Sequence, residues 1–169
     1  MDTRILKNEL IACRDLQGRV VELPVEKFQP RVSAYGLIRQ EDNYGKILFV
    51  RMKISGKYFL PGGGIELCEP IEDGLISEVR EETGIDVEVE DLLGHLKTQF
   101  YDQEKDLAYD NISLYYKCKP LNFTLHFDEN ESVIPVWIPL LYTLKRWKFQ
   151  YPLTGGFLEK LINRHMSLR

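Results

Sequence analysis

The stretch that decides the fold reads Gly62-Gly63-Gly64-Ile65-Glu66-Leu67-Cys68-Glu69-Pro70-Ile71-Glu72-Asp73-Gly74-Leu75-Ile76-Ser77-Glu78-Val79-Arg80-Glu81-Glu82-Thr83-Gly84-Ile85. Its three opening glycines let a backbone approach a ligand closely. The rest predicts a helix marked at both ends. Pro70 suits the first helical position, Glu72 and Asp73 suit the positively polarised first turn, and Gly84 suits the end. Leu75, Ile76 and Val79 form the inward stripe.

The last turn of this helix breaks two local rules. Spacings of three and four residues bring the carboxylates of Glu78, Glu81 and Glu82 onto one face. Each like-charged pair costs a few tenths of a kcal/mol when solvated, and roughly 3 kcal/mol at about 5.5 Å if the effective dielectric falls to about 20. The three acids also crowd the helix's negative end. Alone, such a triplet is most often a solvated helix end. The glycine run a short way upstream changes the reading, because loop and helix together form a holder for a metal ion and a diphosphate. A hard cation such as Mg²⁺ takes carboxylate oxygens, keeps several waters and bridges to substrate phosphates.

Outward from this core, residues 32–39 and 46–52 read as strands around a polar turn at Asn43-Tyr44-Gly45, and residues 58–60 as a short third run. Residues 1–29 are expected to form an N-terminal arm, a β-hairpin turning at Asp15-Leu16-Gln17-Gly18 and packed on the domain, with residues 30–169 as the domain itself. Downstream, residues 85–89, 93–101 and 111–117 read as strands, with a polar loop at 102–110 as a pocket wall. Residues 119–135 read as irregular and 136–138 as a late strand. From a Thr154 cap, Phe157, Leu158, Leu161 and Ile162 mark a second amphipathic helix. This order predicts a mixed sheet covered by helices.

Composition narrows the function. The 169 residues fit one domain, and 44% hydrophobic with 28% charged residues is a globular profile. A net charge of −4 argues against a broad basic face for duplex nucleic acid. Cys13, Cys68 and Cys118 lack ligand spacing and read as free thiols. Charges scattered through the first nine residues do not make a signal peptide, and the most apolar run, 137–144, is too short to span a bilayer and contains Pro139. The expectation is a cytoplasmic protein away from membranes. His95, His126 and His165 receive no role.

The string resembles the Nudix box: Gly, five residues, Glu, seven residues, then Arg-Glu-apolar-any-Glu-Glu-any-Gly-apolar. Residues 63–85 agree at every defined position except Ser77, where that family has arginine. The flanks, Phe59-Leu60-Pro61-Gly62-Gly63 and Val136-Trp137-Ile138-Pro139-Leu140, are similar as well, so the resemblance covers about 32–140. It implies an α/β/α sandwich with a mixed β-sheet, and hydrolysis of a diphosphate bond in a nucleoside diphosphate linked to another group: a nucleotide sugar, a dinucleoside polyphosphate or a modified nucleoside triphosphate.

The same resemblance implies that Glu78, Glu81 and Glu82, with the carbonyl of Gly62, bind Mg²⁺ or Mn²⁺. The general base falls to Glu81, or to Glu129 or Glu131 in the acidic segment before Trp137. Arg51, Gly63, Gly64 and Tyr101 are the substrate-binding candidates, although Tyr101 equally fits a strand core. The box arginine generally pairs with the glutamate matching Glu69 and fixes the glycine loop to the helix. Ser77 cannot make that pair, so Arg80 is expected to substitute in part. The expected partner is a small nucleotide derivative, with a homodimer allowed. The alternative is a nucleotide-binding module that keeps the fold and catalyses weakly.

Overall fold

The computed structural model describes residues 9–40, 45–126, 128–140 and 155–165. Two long strands form its spine, β3 (Phe28–Gln40) and β8 (Leu107–Pro120), which run parallel from the Phe28↔Ala108 pair to Ile38↔Cys118. Alternate side chains of a strand face opposite sides, so each strand feeds two cores. On one face Ala34 and Ile38 of β3 and Leu48 of β4 (Lys46–Met52) meet Leu75 and Val79 of α1 (Ile71–Thr83). On the other, Leu37 of β3 and Ile47 and Phe49 of β4 meet Leu158, Leu161 and Ile162 of α2 (Gly155–His165). The product is the expected α/β/α sandwich. Full burial of a side chain such as Leu75 or Val79 stabilises it by about 1.5–3 kcal/mol.

The remaining described strands are β1 (Leu10–Asp15), β2 (Val20–Pro24), β5 (Tyr58–Phe59), β6 (Gly62–Gly64), β7 (Val87–Asp102) and β9 (Val133–Pro139). The sheet order is β2-β1-β7-β8-β3-β4-β5, with β6 added to β3 and β9 to β4. β7 is antiparallel to β8 whereas β1 is parallel to β7, so the sheet is mixed. Among the described residues no helix is long and apolar enough to cross a membrane.

Several boundaries differ from the sequence reading. β3 starts at Phe28 and not at 32, because its partner β8 already begins at Leu107 and pairs with it there. Of the segments 85–89 and 93–101, residues 87–89 and 93–101 merge into β7, whose register slips between Val89 and Leu92 and again between Leu92 and Gly94, so bulges carry the strand through the polar interruption. The polar loop shrinks to a turn at 103–106 for the same reason: β7 and β8 pair up to Asp102↔Leu107. Residues 133–135 join the late strand by pairing with β4. The Thr154 cap, the turn residues Asn43 and Tyr44, and residues 141–144 of the apolar run lie outside the described residues.

Helix α1 ends as predicted and begins one residue later, at Ile71, so Pro70 precedes the first helical position it was expected to fill. Pro70 is its extended N-cap, and Gly84 ends it in the left-handed region (φ 72°) with its N–H donating to the Arg80 carbonyl at 2.8 Å. Ile76 is only partly buried beside the core that takes Leu75 and Val79. Gly74 and Thr83, which the apolar stripe omitted, are buried too.

Candidate active site

The glycine segment, expected as a loop, is strand β6, paired antiparallel to β3 from Tyr35↔Gly62 to Ser33↔Gly64. This pairing presses it between the sheet and α1, and leaves no space for side chains. A Cβ on Gly62, which has φ 131°, would strike the Ala34 carbonyl oxygen; one on Gly63 would lie 2.5 Å from Oε2 of Glu78; one on Gly64 would fall on the Arg31 guanidinium. Each glycine therefore permits a specific close approach.

That approach organises the acids. The Gly62 N–H donates to Oε2 of Glu82 at 2.9 Å. Burial pushes the Glu82 carboxyl up to about 8, against the lowering effect of that hydrogen bond and with Glu78, Glu131 and Glu81 adding like charge. Glu78 sits under Gly63, and its pKa is also raised, by burial first and then by Glu81, while Arg31 pulls it down. Glu81 is exposed at the edge. Glu131, before β9, is near enough to raise both Glu78 and Glu82, so the acidic segment does approach the helix acids. The Glu129 backbone carbonyl accepts from Lys53 Nζ at 2.6 Å.

Among the described residues no three acids converge tightly enough to form a ready-made metal cage. The donor chemistry nevertheless fits a hard divalent cation. Carboxylate oxygens of one sign face a backbone cradle that a Cβ would fill, and burial raises the pKa of one of them to about 8.

A cavity of about 510 Å³ opens beside this arrangement, with Gly62, Gly63 and Glu82 in its wall. Tyr35, Phe59, Phe100 and Tyr115 give it aromatic surfaces, and Asp102, Gln103 and Asn111 give it polar ones. Leu16 and Gln17, at the β1–β2 turn, close one side; the Leu16 N–H donates to Gln103 Oε1 at 3.3 Å.

Three substrate candidates, Arg51, Gly64 and Tyr101, lie off this wall. Val50 and Met52 line it, and Arg51 between them faces the other way by the strand's alternation. Likewise Phe100 lines it and Tyr101 does not; the Tyr101 hydroxyl donates to Asp106 Oδ1 at 2.7 Å, with Lys27 over its ring. The Arg80 expectation is also corrected. Its Nε donates to Asp86 Oδ1 at 2.6 Å, while Oε2 of Glu69 accepts the Glu66 N–H at 3.0 Å. Asp86 comes just after the helix end and is the nearer acid. Ser77 is exposed. The sequence reading missed Arg31, because only the pairing of β3 with β6 brings it beside Gly64.

The sequence model of the NUDIX domain matches residues 27–154. The chain belongs to the Nudix family. A MutT-like protein of Streptomyces ambofaciens is 39% identical over 89 residues, which are 53% of this chain and 51% of that protein. An ADP-ribose pyrophosphatase of Methanocaldococcus jannaschii is 40% identical over 68 residues, 38% of each protein. The chain thus spans about half or less of these curated Nudix relatives. The crystal structure of a MutT protein from Methanosarcina mazei Go1 superimposes with a TM-score of 0.65 over 83% of this chain and 98% of that one, at 23% identity, which is a likeness of fold.

Proposed function

We propose that this Nudix protein is a divalent-metal-dependent hydrolase of a diphosphate bond in a nucleoside diphosphate derivative, acting in a reducing, cytoplasmic setting. The observation that carries the reading is the partly buried Glu82 carboxyl, held by the Gly62 N–H at 2.9 Å in the wall of the cavity. Burial raises this carboxyl to about 8, and a divalent cation bound beside it would favour its charged form.

Glu78, Glu81 and Glu82, with the Gly62 carbonyl, would hold Mg²⁺ or Mn²⁺. When bound, such an ion supplies Lewis-acid stabilisation of charge on phosphoryl oxygens and lowers the pKa of a bound water. The chain's own residues do the rest. Gly63 and Gly64 let the diphosphate lie close to the backbone. Glu131 or Glu81 takes the proton of the attacking water, each standing near enough for its charge to be felt at both Glu78 and Glu82. Tyr35, Phe59 and Phe100 shield the reacting bond from bulk water and offer flat faces to a base. The name of the M. jannaschii relative makes ADP-ribose the first substrate to test, before nucleotide sugars, dinucleoside polyphosphates and modified nucleoside triphosphates.

A panel of these compounds with Mg²⁺ or Mn²⁺, with phosphate-ester products quantified, is expected to show turnover that Glu82→Gln abolishes. One observation favours a second reading, a binding module with weak catalysis: Ser77 carries no cation and Arg80 is spent on Asp86. Saturable nucleotide binding without turnover across the whole panel would establish that reading instead.

A further inference from the structure

Ser77 brings no cation to the helix side of the site, and the sheet brings one to the other side. Arg31 projects from β3 into the cavity wall, with its guanidinium carbon 4.9 Å from the centroid of the Tyr109 ring. It lies against Gly64 so closely that a Cβ there would meet its Nε at 2.9 Å and its terminal nitrogen closer still. Its Nε donates to Ser33 Oγ at 3.3 Å; Ser33 Oγ donates to Asn111 Oδ1 at 2.9 Å; Asn111 Nδ2 donates to Ser113 Oγ at 2.8 Å. Ser33, Asn111 and Ser113 are buried, and Asn111 is the cross-strand partner of Arg31 in the β3–β8 ladder. The guanidinium is therefore fixed by a polar chain and an aromatic face, and among the described residues it makes no ion pair. Its positive charge is felt at Glu78, on the far side of the glycine strand.

We infer that Arg31 is the positioning residue of the site, clamping β6 against α1 from the sheet side and setting where Glu78 stands. This deepens the hydrolase reading and rests on it for its kinetic part. The other side of β6 offers the mirror position. The Glu69 carboxylate lies over Gly74, whose Cβ would meet it at 2.7 Å, and Ser77 is one turn further along the same face of α1. An arginine at 77 is placed to meet Glu69 and to clamp the 64–70 segment from the helix side.

The experiment compares the wild-type chain, Arg31→Gln, Arg31→Lys and the double variant Arg31→Gln/Ser77→Arg. Hydrogen exchange of the 62–65 amides is read in all four without metal, and steady-state kinetics on whichever substrate the panel yields. Arg31→Gln is expected to speed exchange at these amides about tenfold and to lower kcat about tenfold, with KM changed less than twofold. The double variant is expected to recover most of both losses. Arg31→Lys is expected to fall short, since an ammonium cannot stack and fork as a guanidinium does. Unchanged exchange in Arg31→Gln, or a rise in KM alone with kcat intact, would overturn the assignment, the latter because it marks a substrate contact. Loss of exchange protection that Ser77→Arg fails to restore also overturns it, as it points to general destabilisation of β3. If none of the four proteins turns over any substrate, the hydrolase reading fails and the exchange comparison still decides the role of Arg31.

Discussion

At Glu82 charge and burial conflict. Its folded-state pKa of about 8 lies above the ordinary 4.5, so the folded, metal-free protein binds a proton more tightly than the unfolded chain. The metal-free wild type is therefore expected to lose stability as pH rises from about 4.5 to about 8, and Glu82→Gln to escape that loss. Thermal melts at pH 5 and pH 9 in chelator check this; the prediction fails if the two proteins show the same pH slope. Asp15 behaves oppositely. Burial would raise its pKa, but hydrogen bonds from the Arg19 side chain and N–H, and from the Gln17 N–H, outweigh burial and depress it below 3.8. Its contribution is full above the unfolded value and is lost as pH falls through the folded one. Asp15→Asn should thus cost more stability at pH 6 than at pH 2, as read from urea midpoints. The acids of the box were legible in the sequence, since their spacing alone puts like charges together. Arg31 and the orientation of Arg51 and Tyr101 were hidden there, because they depend on strand phase.

Among the elements, β6 separates folding from function. A Cβ on Gly63 meets only the flexible end of Glu78, whereas one on Gly62 meets the Ala34 backbone at a φ of 131°. Gly63→Ala should therefore melt within a few degrees of the wild type yet lose the proposed hydrolase activity by at least about tenfold, by displacing Glu78, a proposed metal ligand. Gly62→Ala should lose stability by about 2 kcal/mol or more, because a backbone clash cannot relax cheaply. Calorimetry with parallel kinetics distinguishes the two, and equal stability of both variants would contradict this account of the cradle. Helix α1 was legible to the residue at its C-terminal end because Gly84 is the stop a left-handed cap requires. The limits of β7 and β8 were not, because pairing sets them: β7 follows β8 through two register slips, and β8 extends along the distant strand β3.

For the molecule as a whole, function depends on two cores on opposite faces of one sheet. Helix α2 closes the face away from α1, with Leu161 buried beside Leu37 and Phe49, and Leu158 reaches the cavity wall. Leu161→Ala should cost about 2–5 kcal/mol, while leaving Mg²⁺-induced stabilisation of the remaining folded protein intact, as measured by melting with and without the ion. The β1–β2 turn also reaches the cavity through Leu16 and Gln17, so residues preceding the matched family segment shape the pocket. The sequence by itself determined the helix, its acids, the glycines and the family, because these are short-range patterns in which spacing dictates geometry. Which side chains face the cavity was decided only by the tertiary structure: a strand's alternation assigns a residue to one face or the other only after its register with distant partners is set.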